Sequence, residues 1–488
     1  MLCVTQNNLC GLGGDLFALI KYKGKILNLN GSGRASKNAT IKFYRDERKL
    51  SEIPHRGPLA ALTVPGIVHA WGELHSKFGT IELEKLLRPA IEYARNGFPI
   101  TENYAHSVGA SARSLGGYDN WSRIFLSGGA LPEPGYLLKQ KDLASSLEQI
   151  AKEGPSTFYS GSLSEEIVKG VAKEGGLIDQ SDLQNHTSTW QTPLMTSYRD
   201  LKIYETAPNS QAATVLFWLN MLEEFELSGK YAINSPELFE ILLDTCLKAY
   251  AERARHIADP AFYEFKPEYL SKDYARHLLK SRLDYPIDSA QVSKGSSDTT
   301  YFAIGNSEGD SVSVIQSNYM GFGSGLVPEG TGIVLQNRGC YFSLDEKHHN
   351  SLKPGKRTFH TLCASMGESE SGSTLFSLGC MGGDIQPQVH VQLLTKLLDY
   401  EMDLQEAIDA PRWIIPFSIY ESPSKVYFEP GPAESISQAK KIAETKALSL
   451  GKFETLSSLT GHAQAIQFEE GYLKGGADIR GDGVAIGL

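Results

Sequence analysis

The feature of this sequence that most constrains its fold is an apolar hairpin that begins at residue 299. A polar run, Ser293-Lys294-Gly295-Ser296-Ser297-Asp298, leads into the strand-like stretch Thr299-Thr300-Tyr301-Phe302-Ala303-Ile304. A second strand-like stretch covers residues 311–317, and the turn-forming residues 306–310 lie between the two. A glycine-rich loop, Gly321-Phe322-Gly323-Ser324-Gly325, follows. The pattern predicts two antiparallel strands joined by a short turn.

The hairpin also predicts which residues face each other. If residues 302–305 pair with residues 311–314, Ser317 lies opposite Thr299 on the neighbouring strand. The Cβ atoms of opposed residues are roughly 4.5–5.5 Å apart, so one hydroxyl can orient the other. A slip of one residue would turn Ser317 to the other face of the sheet.

Thr299 allows two interpretations. It is either an ordinary β-branched residue that starts a strand, or the first residue of a new chain after cleavage of the Asp298–Thr299 peptide bond. In the second case its α-amine and its own hydroxyl form a base and a nucleophile. The Thr pair alone favours the first interpretation.

Composition excludes several classes of protein. Of the 488 residues, 41% are hydrophobic and 21% are charged, which is typical of a soluble globular protein with a large core. A net charge of −10 argues against nucleic acid as a partner. No apolar stretch approaches the ~20 residues of a membrane-spanning helix, and no basic run indicates a membrane surface. The first residues do not form a signal peptide, so a cytoplasmic location is predicted.

The cysteines predict neither disulfides nor a metal site. They are scattered without CxxC or CxxH spacing, which favours free and mostly buried thiols in a reducing compartment; they are Cys3, Cys10, Cys246, Cys340, Cys363 and Cys380.

Helical and strand-like patterns are separated along the chain. Helices are predicted within residues 64–98, 143–152, 165–174, 211–225 and 236–256, and strands at residues 17–20, 26–27 and 201–205. Beyond residue 299 the chain is strand-rich, with helices predicted only near residues 388–399 and 434–449. This segregation predicts an α+β layered sandwich rather than a doubly wound parallel sheet. The cluster Gly11-Leu12-Gly13-Gly14 lacks the spacing of a nucleotide-binding loop and predicts a tight turn.

Separated motifs in this order resemble the γ-glutamyltransferase (γ-glutamyl transpeptidase) family of N-terminal-nucleophile hydrolases, over nearly the whole chain. The motifs are Cys10-Gly11-Leu12-Gly13-Gly14, Val64-Pro65-Gly66, Leu87-Arg88-Pro89-Ala90, Tyr250-Ala251-Glu252-Arg253-Ala254, Asp298-Thr299-Thr300, Gly323-Ser324-Gly325, Gly330-Thr331-Gly332-Ile333, Met381-Gly382-Gly383 and Ala407-Ile408-Asp409-Ala410-Pro411-Arg412.

The resemblance implies a four-layered αββα sandwich, made as a precursor that cuts itself before Thr299. Residues 1–298 would form a large subunit and residues 299–488 a small one, together one αββα unit, with a homodimer of the processed pair possible. Thr299 would be the nucleophile and its freed amine the base, while Ser317 assists processing. Gly382 and Gly383 would donate backbone N–H groups to the oxyanion. The implied substrate is a small-molecule amide, and no metal or organic cofactor is implied.

The substrate-binding residues depart from the family pattern. The family arginine that holds the substrate carboxylate is shifted by two residues, to Arg34. Tyr341 replaces the acid that binds the substrate amine, Tyr319 replaces an asparagine, and His360-Thr361 replaces a serine pair. Gln386 is a further candidate for the acyl pocket, whereas His390 is predicted to be a core histidine.

Without the acid, the natural counter-charge of a substrate ammonium is lost, and a buried unpaired ammonium is costly. This argues for an acyl group without the amine, such as a glutaryl-like or oxamate-like acid, rather than a γ-glutamyl compound such as glutathione. The stretches at residues 316–325 and 381–388 resemble the branch of the family that contains cephalosporin/glutaryl acylases and oxamate amidohydrolases. A non-catalytic relative that stays uncut is the alternative. Family members carry a helix and a strand before the region matched by residues 3–14, so either the sequence begins inside the family fold or its sheet lacks an edge element.

Overall fold

The computed structural model describes residues 1–282, 297–417, 423–431 and 433–487. The polar residues 293–296 that precede the hairpin lie outside the described residues. All elements below belong to the described ranges.

The strands are short and spread along the whole chain. They are β1 (Asp15–Tyr22), β2 (Lys25–Gly31), β3 (Phe98–Pro99), β4 (Leu137–Leu138), β5 (Thr189–Gln191), β6 (Leu194–Tyr198), β7 (Leu201–Glu205), β8 (Ser297–Gly305), β9 (Ser311–Met320), β10 (Ala364–Glu368), β11 (Thr374–Cys380), β12 (Trp413–Ile414), β13 (Lys425–Phe428), β14 (Ser449–Lys452), β15 (Ala463–Glu469) and β16 (Tyr472–Ala477).

Most helices precede residue 281. The α-helices are α1 (Leu2–Thr5), α2 (Ile67–Phe78), α3 (Leu83–Asn96), α4 (Glu102–Leu115), α5 (Asp119–Phe125), α6 (Lys141–Glu153), α7 (Thr157–Ser160), α8 (Ser162–Lys173), α9 (Gln180–Gln184), α10 (Ala213–Leu222), α11 (Leu227–Lys230), α12 (Pro236–His256), α13 (Lys272–Lys280), α14 (Gln386–Leu398), α15 (Leu404–Asp409) and α16 (Ala433–Thr445).

Two antiparallel sheets pack face to face in the middle of the molecule. The first has the order β5-β2-β1-β9-β8 and the second the order β16-β15-β11-β10-β7-β6. Strands β8 and β9 contact β11 and β15, and β1 contacts β10. Helices α10 and α14 cover the outer face of the second sheet, and α2 lies on β1 and β2. The result is a layer of helices on each side of a two-sheet sandwich.

The buried residues of β1 show how the sequence builds these layers. Alternate side chains in a strand point to opposite faces. Phe17 and Leu19 point to the core between the two sheets, where they pack with Tyr301 and Ile315. Their neighbours on the strand, including Ala18, belong to the core between the first sheet and its helices. A strand that is apolar on both faces is therefore buried on both, as an inner layer must be.

The structure confirms the predicted α+β class and most of the predicted elements. Helix α12 has the predicted limits, and α3 ends where predicted, at Gly97, whose φ is +94°. The turn at residues 11–14 is present, with the Gly14 N–H donating to the Gly11 carbonyl over 3.0 Å. The prediction of only two helical regions beyond residue 299 is wrong, because the short helix α15 also lies there.

All six cysteines are unpaired and buried, as predicted. His390 is fully buried and its Nδ1 lies 3.1 Å from Glu205 Oε1, which confirms its place in the core. Within the described ranges no helix is both long and apolar enough to cross a membrane.

Candidate active site

Thr299 lies in a β-bulge on β8, which is the edge strand of the first sheet. From Thr300 to Gly305 the pairing with β9 follows the predicted register. The register shifts between Asp298 and Thr300, so that Asp298 faces Tyr319 and Thr299 has no directly opposed partner. The prediction that Thr299 and Ser317 form an opposed pair is thus wrong, since a bulge inserts one residue that the partner strand does not match.

The predicted contact between the two hydroxyls is nevertheless present. Thr299 Oγ1 donates to Ser317 Oγ over 3.1 Å, and both residues are buried. Ser317 Oγ also accepts from the Tyr319 N–H over 2.7 Å. The bulge therefore re-aims the threonine side chain without separating it from the serine that orients it.

Tyr301 holds this end of β8 against the second sheet. Its ring packs on Gly379 of β11, where an added Cβ would come within 2.3 Å of the ring. Its hydroxyl shares a 2.7 Å hydrogen bond with Ser313 Oγ on β9. Only glycine at residue 379 lets the ring approach so closely, and this contact fixes the strand two residues after Thr299.

A large cleft opens beside the edge strand. Its volume is about 1370 Å³, and Thr299 and the four residues after it line one wall. The opposite walls come from α1, α4, the strands β15 and β16 and residues 482–486. Arg56 lines the cleft as well, and its Nη1 donates to the carbonyl of Gly321 over 2.6 Å and to that of Gly323. The buried threonine is thus next to a space that admits a small molecule.

The turn at Met381-Gly382-Gly383 presents backbone N–H groups. The φ angles of Gly382 and Gly383 are +137° and +56°, in the region that favours glycine. A Cβ on Gly382 would also lie 2.9 Å from Ile385. Neither N–H donates to an acceptor in the part of the chain that the structure describes. The pair precedes helix α14, so both groups lie at a positive helix end that favours an anion.

Asp384, directly after this turn, is the centre of a buried polar network. Its carboxylate accepts from Arg253 Nη1 over 2.9 Å and from the Tyr341 hydroxyl. Arg253 Nη1 also donates to Gln211 Oε1 over 2.7 Å, and Gln211 Nε2 donates to the carbonyls of Thr361 and Gly383, each over 2.8 Å. The network ties the glycine turn to α12 and to the segment before β10.

Tyr341 is a neutral hydrogen-bond donor in this network. Burial raises the pKa of its hydroxyl well above the usual value, and the negative charge of Asp384 raises it further. Tyr341 thus stands beside an acid that comes from another segment. This acid is Asp384, and its charge is balanced by Arg253.

His360 and Thr361 lie side by side but have different partners. His360 Nε2 lies 3.1 Å from Asp15 Oδ2, and both side chains are buried. Burial lowers the pKa of His360 well below its usual value, so the ring is neutral. Thr361 Oγ1 instead accepts from Arg338 Nη1 over 2.8 Å. His360 is held in a buried pair, whereas Thr361 contacts the cluster around Tyr319 and Tyr341.

Two further predicted residues border this cluster. Tyr319 has a φ of +79°, and its ring stacks against Arg338, whose guanidinium carbon is 4.3 Å from the ring centroid. Gln386 Oε1 accepts from the Cys363 N–H over 2.8 Å.

Arg34 lies elsewhere. It is half-buried, and its Nη1 donates to the carbonyl of Thr187 over 3.1 Å. Across the described ranges, no hydrogen bond joins Arg34 to Thr299, Tyr341 or the glycine turn. Contacts thus link Thr299, Ser317, Tyr319, Tyr341, Thr361 and the glycine turn, whereas Arg34 and His360 are held by other partners.

Comparison with known proteins agrees with this geometry. Residues 1–488 match the family described as gamma-glutamyltranspeptidase. The chain belongs to the γ-glutamyltranspeptidase family.

Members of the family that are similar to this chain carry different substrate names. The glutathione hydrolase-like YwrD proenzyme of Bacillus subtilis is 37% identical over 493 residues, covering 100% of this chain and 92% of the relative. The oxamate amidohydrolase proenzyme of Klebsiella pneumoniae is 33% identical over 499 residues, with the same coverage. The crystal structure of cephalosporin acylase from Bacillus halodurans superimposes with a TM-score of 0.87 and 31% identity, covering 99% of this chain and 88% of that one. Family members named as hydrolases and as acylases are therefore both similar to this chain.

Sequence reasoning missed several residues that the fold brings to the site. Asp384, Arg253 and Arg338 all lie inside motifs that carry the family resemblance or directly beside them. The glutamine of the network, Gln211, has no such signal. Their roles depend on contacts between distant segments, which no local sequence pattern reveals. Arg253 and Asp384, for example, are more than 100 residues apart in the sequence.

Proposed function

We propose that this protein is a self-cleaving amidohydrolase in which Thr299 attacks the amide carbonyl of a small acyl donor. The observation that carries the proposal is the 3.1 Å hydrogen bond from Thr299 Oγ1 to Ser317 Oγ, at a bulge beside an open cleft. The proenzyme names of relatives that span the chain support it.

Self-cleavage would separate residues 1–298 from residues 299–488. Thr299 Oγ would attack the carbonyl carbon of Asp298, forming an ester as the C–N bond breaks, and water would then hydrolyse the ester. The products are a carboxylate on Asp298 and a free amine on Thr299. Such an amine titrates near pH 8, so near neutrality an appreciable fraction accepts a proton from the adjacent hydroxyl.

The same hydroxyl would then act on the substrate. Thr299 Oγ forms a bond to the substrate carbonyl carbon, the α-amine takes the hydroxyl proton, and the proton passes to the leaving amine as the C–N bond breaks. The N–H groups of Gly382 and Gly383 stabilise the negative oxygen of the tetrahedral intermediate, and each such donor is worth a few kcal/mol. Water completes the cycle by hydrolysing the acyl-enzyme, which releases the acid and restores Thr299.

The acyl group that fits this site lacks an α-amine. Asp384, the acid that contacts Tyr341, already pairs with Arg253, so a substrate ammonium would find no uncompensated negative charge at this contact. This supports a glutaryl-like or oxamate-like donor over a γ-glutamyl compound such as glutathione. Because relatives named for both kinds of substrate match the chain, the donor class is a proposal.

Mass spectrometry of the purified protein tests the mechanism. Two fragments are expected, the second beginning Thr299-Thr300-Tyr301 by N-terminal sequencing. Thr299→Ala should leave one intact chain and no amidase activity, whereas Thr299→Ser should still cleave, more slowly. Thr300→Ala is the matched control, because Thr300 is the next residue but its hydroxyl donates to the carbonyl of Gln316 rather than to Ser317. An intact wild-type chain that hydrolyses amides would refute the mechanism. An intact wild-type chain without activity would support the alternative of a non-catalytic relative.

A further inference from the structure

Arg338 carries a buried positive charge with unused hydrogen-bonding capacity. The residue is 1% exposed. Its Nη1 donates to Thr361 Oγ1, but Nε and Nη2 have no hydrogen-bond partner among the residues that the structure describes. Burying a charged group without partners is costly, and the majority of buried polar atoms in proteins are paired. The guanidinium is therefore poised to bind acceptors that are absent from the protein itself.

The two unpaired nitrogens form one recognition edge. In an arginine side chain, Nε–H and one N–H of Nη2 point in the same direction, and they match the two oxygens of a carboxylate. The third nitrogen is fixed by Thr361, and the plane is stacked on Tyr319 at 4.3 Å and approaches the ring of Tyr341 at 5.6 Å. The aromatic contacts stabilise the cation from its face and leave this edge available.

The acids near Arg338 are committed to other groups. Asp384 binds Arg253 and Tyr341. Asp15 accepts from Gln336 Nε2 over 2.9 Å, from the N–H groups of Gly33 and Gly66 and from His360. Among described carboxylates, none forms an ion pair with Arg338. Asp15 and Arg338 interact electrostatically at longer range, so the guanidinium has no direct anionic partner among the described residues.

Arg338 is linked to both halves of the proposed catalytic apparatus. Arg338 stacks on the ring of Tyr319, and the N–H of Tyr319 donates to Ser317 Oγ, the hydroxyl that orients Thr299. On the other side, Arg338 donates to Thr361. The Gln211 side chain donates both to the carbonyl of Thr361 and to that of Gly383, and so connects Arg338 to the glycine turn. Arg338 is thus connected to Thr299 through Tyr319 and Ser317, and we expect its guanidinium to be within reach of a short acyl chain on Thr299. Gln386 Nε2, at the start of α14, is a second buried donor that has no hydrogen-bond partner among the described residues.

We propose that Arg338 binds the free carboxylate of the acyl donor through Nε and Nη2, and so selects acyl groups that carry a second, terminal carboxylate. This inference rests on the proposed function for its meaning in catalysis, although the binding itself does not require turnover. It assigns the role expected of Arg34 to a residue that the fold, rather than the sequence pattern, places at the site.

Calorimetric titration tests the binding without any reaction. Glutarate should bind the wild-type protein, and glutaramide, its neutral diamide of the same shape, should bind at least about 30-fold more weakly, since a site built for a charged partner rejects a neutral one. Arg338→Met should lose glutarate binding, while Arg338→Lys, which keeps the charge but not the paired edge, should retain part of it. Equal binding of the two ligands by the wild type would overturn the proposal, with no variant needed.

Kinetics test the selectivity. The wild-type kcat/KM for glutaryl-p-nitroanilide should exceed that for its 4-carbamoylbutanoyl analogue by about 100-fold or more. Arg338→Met should remove this preference by lowering the rate for the carboxylate substrate alone. A preference that persists in Arg338→Met, or that is lost in Arg34→Met instead, would overturn the assignment. Glutarate binding without hydrolysis of either amide would instead refute the proposed function and leave the carboxylate site standing.

Discussion

Replacing Ser317 with alanine tests whether the hydroxyl pair drives self-cleavage. The change removes the acceptor of the Thr299 hydroxyl and also the acceptor of the buried Tyr319 N–H. A neutral hydrogen bond contributes about 0.5–1.5 kcal/mol, so losing the one that orients Thr299 should slow cleavage by about 2- to 12-fold. The unpaired Tyr319 N–H should lower the free energy of unfolding by about 1–3 kcal/mol.

The assay must separate these two effects. Cell-free synthesis followed by a time course on denaturing gels gives the rate at which the full chain disappears, and urea unfolding of the purified protein gives stability. Ser313→Ala is the matched control: Ser313 is also a buried serine of β9, and its hydroxyl bonds to Tyr301 and to the carbonyl of Ser365 rather than to Thr299. Ser317→Thr should cleave near the wild-type rate, because it keeps the hydroxyl.

Both alanine variants should lose stability, but only Ser317→Ala should cleave slowly. If Ser313→Ala slowed cleavage as much as Ser317→Ala, the effect would be general destabilisation. If Ser317→Ala cleaved at the wild-type rate, the hydroxyl pair would have no role in the cut.

Three further outcomes are expected. Gly382→Ala should lower kcat by about 10²–10³-fold, because its φ of +137° and the 2.9 Å approach to Ile385 displace an oxyanion donor; unchanged kcat on p-nitroanilide substrates would contradict the role of this turn. Glutaryl-p-nitroanilide should have a kcat/KM at least about tenfold above that of γ-glutamyl-p-nitroanilide, since the added ammonium finds no uncompensated acid; equal values would show that the site accepts the amine. Burial lowers the pKa of Lys396 to about 7, with Arg412 and Arg480 contributing, against about 10.4 in an unfolded chain. Only the folded state then loses the proton between pH 7 and pH 10, so stability from this group rises with pH in that window. Lys396→Met should accordingly raise the free energy of unfolding most at pH 7 and below, and a gain that does not shrink toward pH 10 in urea melts would contradict this.

Much of the fold could be predicted because its signals are local. The helix at Pro236–His256 has a capping serine, a proline in its first turn and three basic residues in its last turn, and its limits were predicted correctly. The hairpin register from Thr300 to Gly305 followed from the length of the turn. Helix α15 was missed because it has only six residues, too few to show a helical period.

The site was less predictable because its geometry is not local. The bulge at Thr299 depends on how β8 packs against the second sheet, and no alternation pattern reveals one inserted residue. Arg34 was favoured because it stands near the position of a family arginine, yet its guanidinium contacts Thr187. Asp384 reaches Tyr341 and Arg253 only after three distant segments have folded together.

The topology of the sheets has a consequence for any molecule cut before Thr299. In the first sheet β1 pairs with β9, and in the second β7 pairs with β10, so each sheet interleaves strands from both sides of the cut. The two polypeptides could separate only if both sheets came apart. The mature protein would then be two polypeptides that keep the fold formed by the intact precursor. Because the two pieces are no longer joined, thermal unfolding of the mature protein should be irreversible.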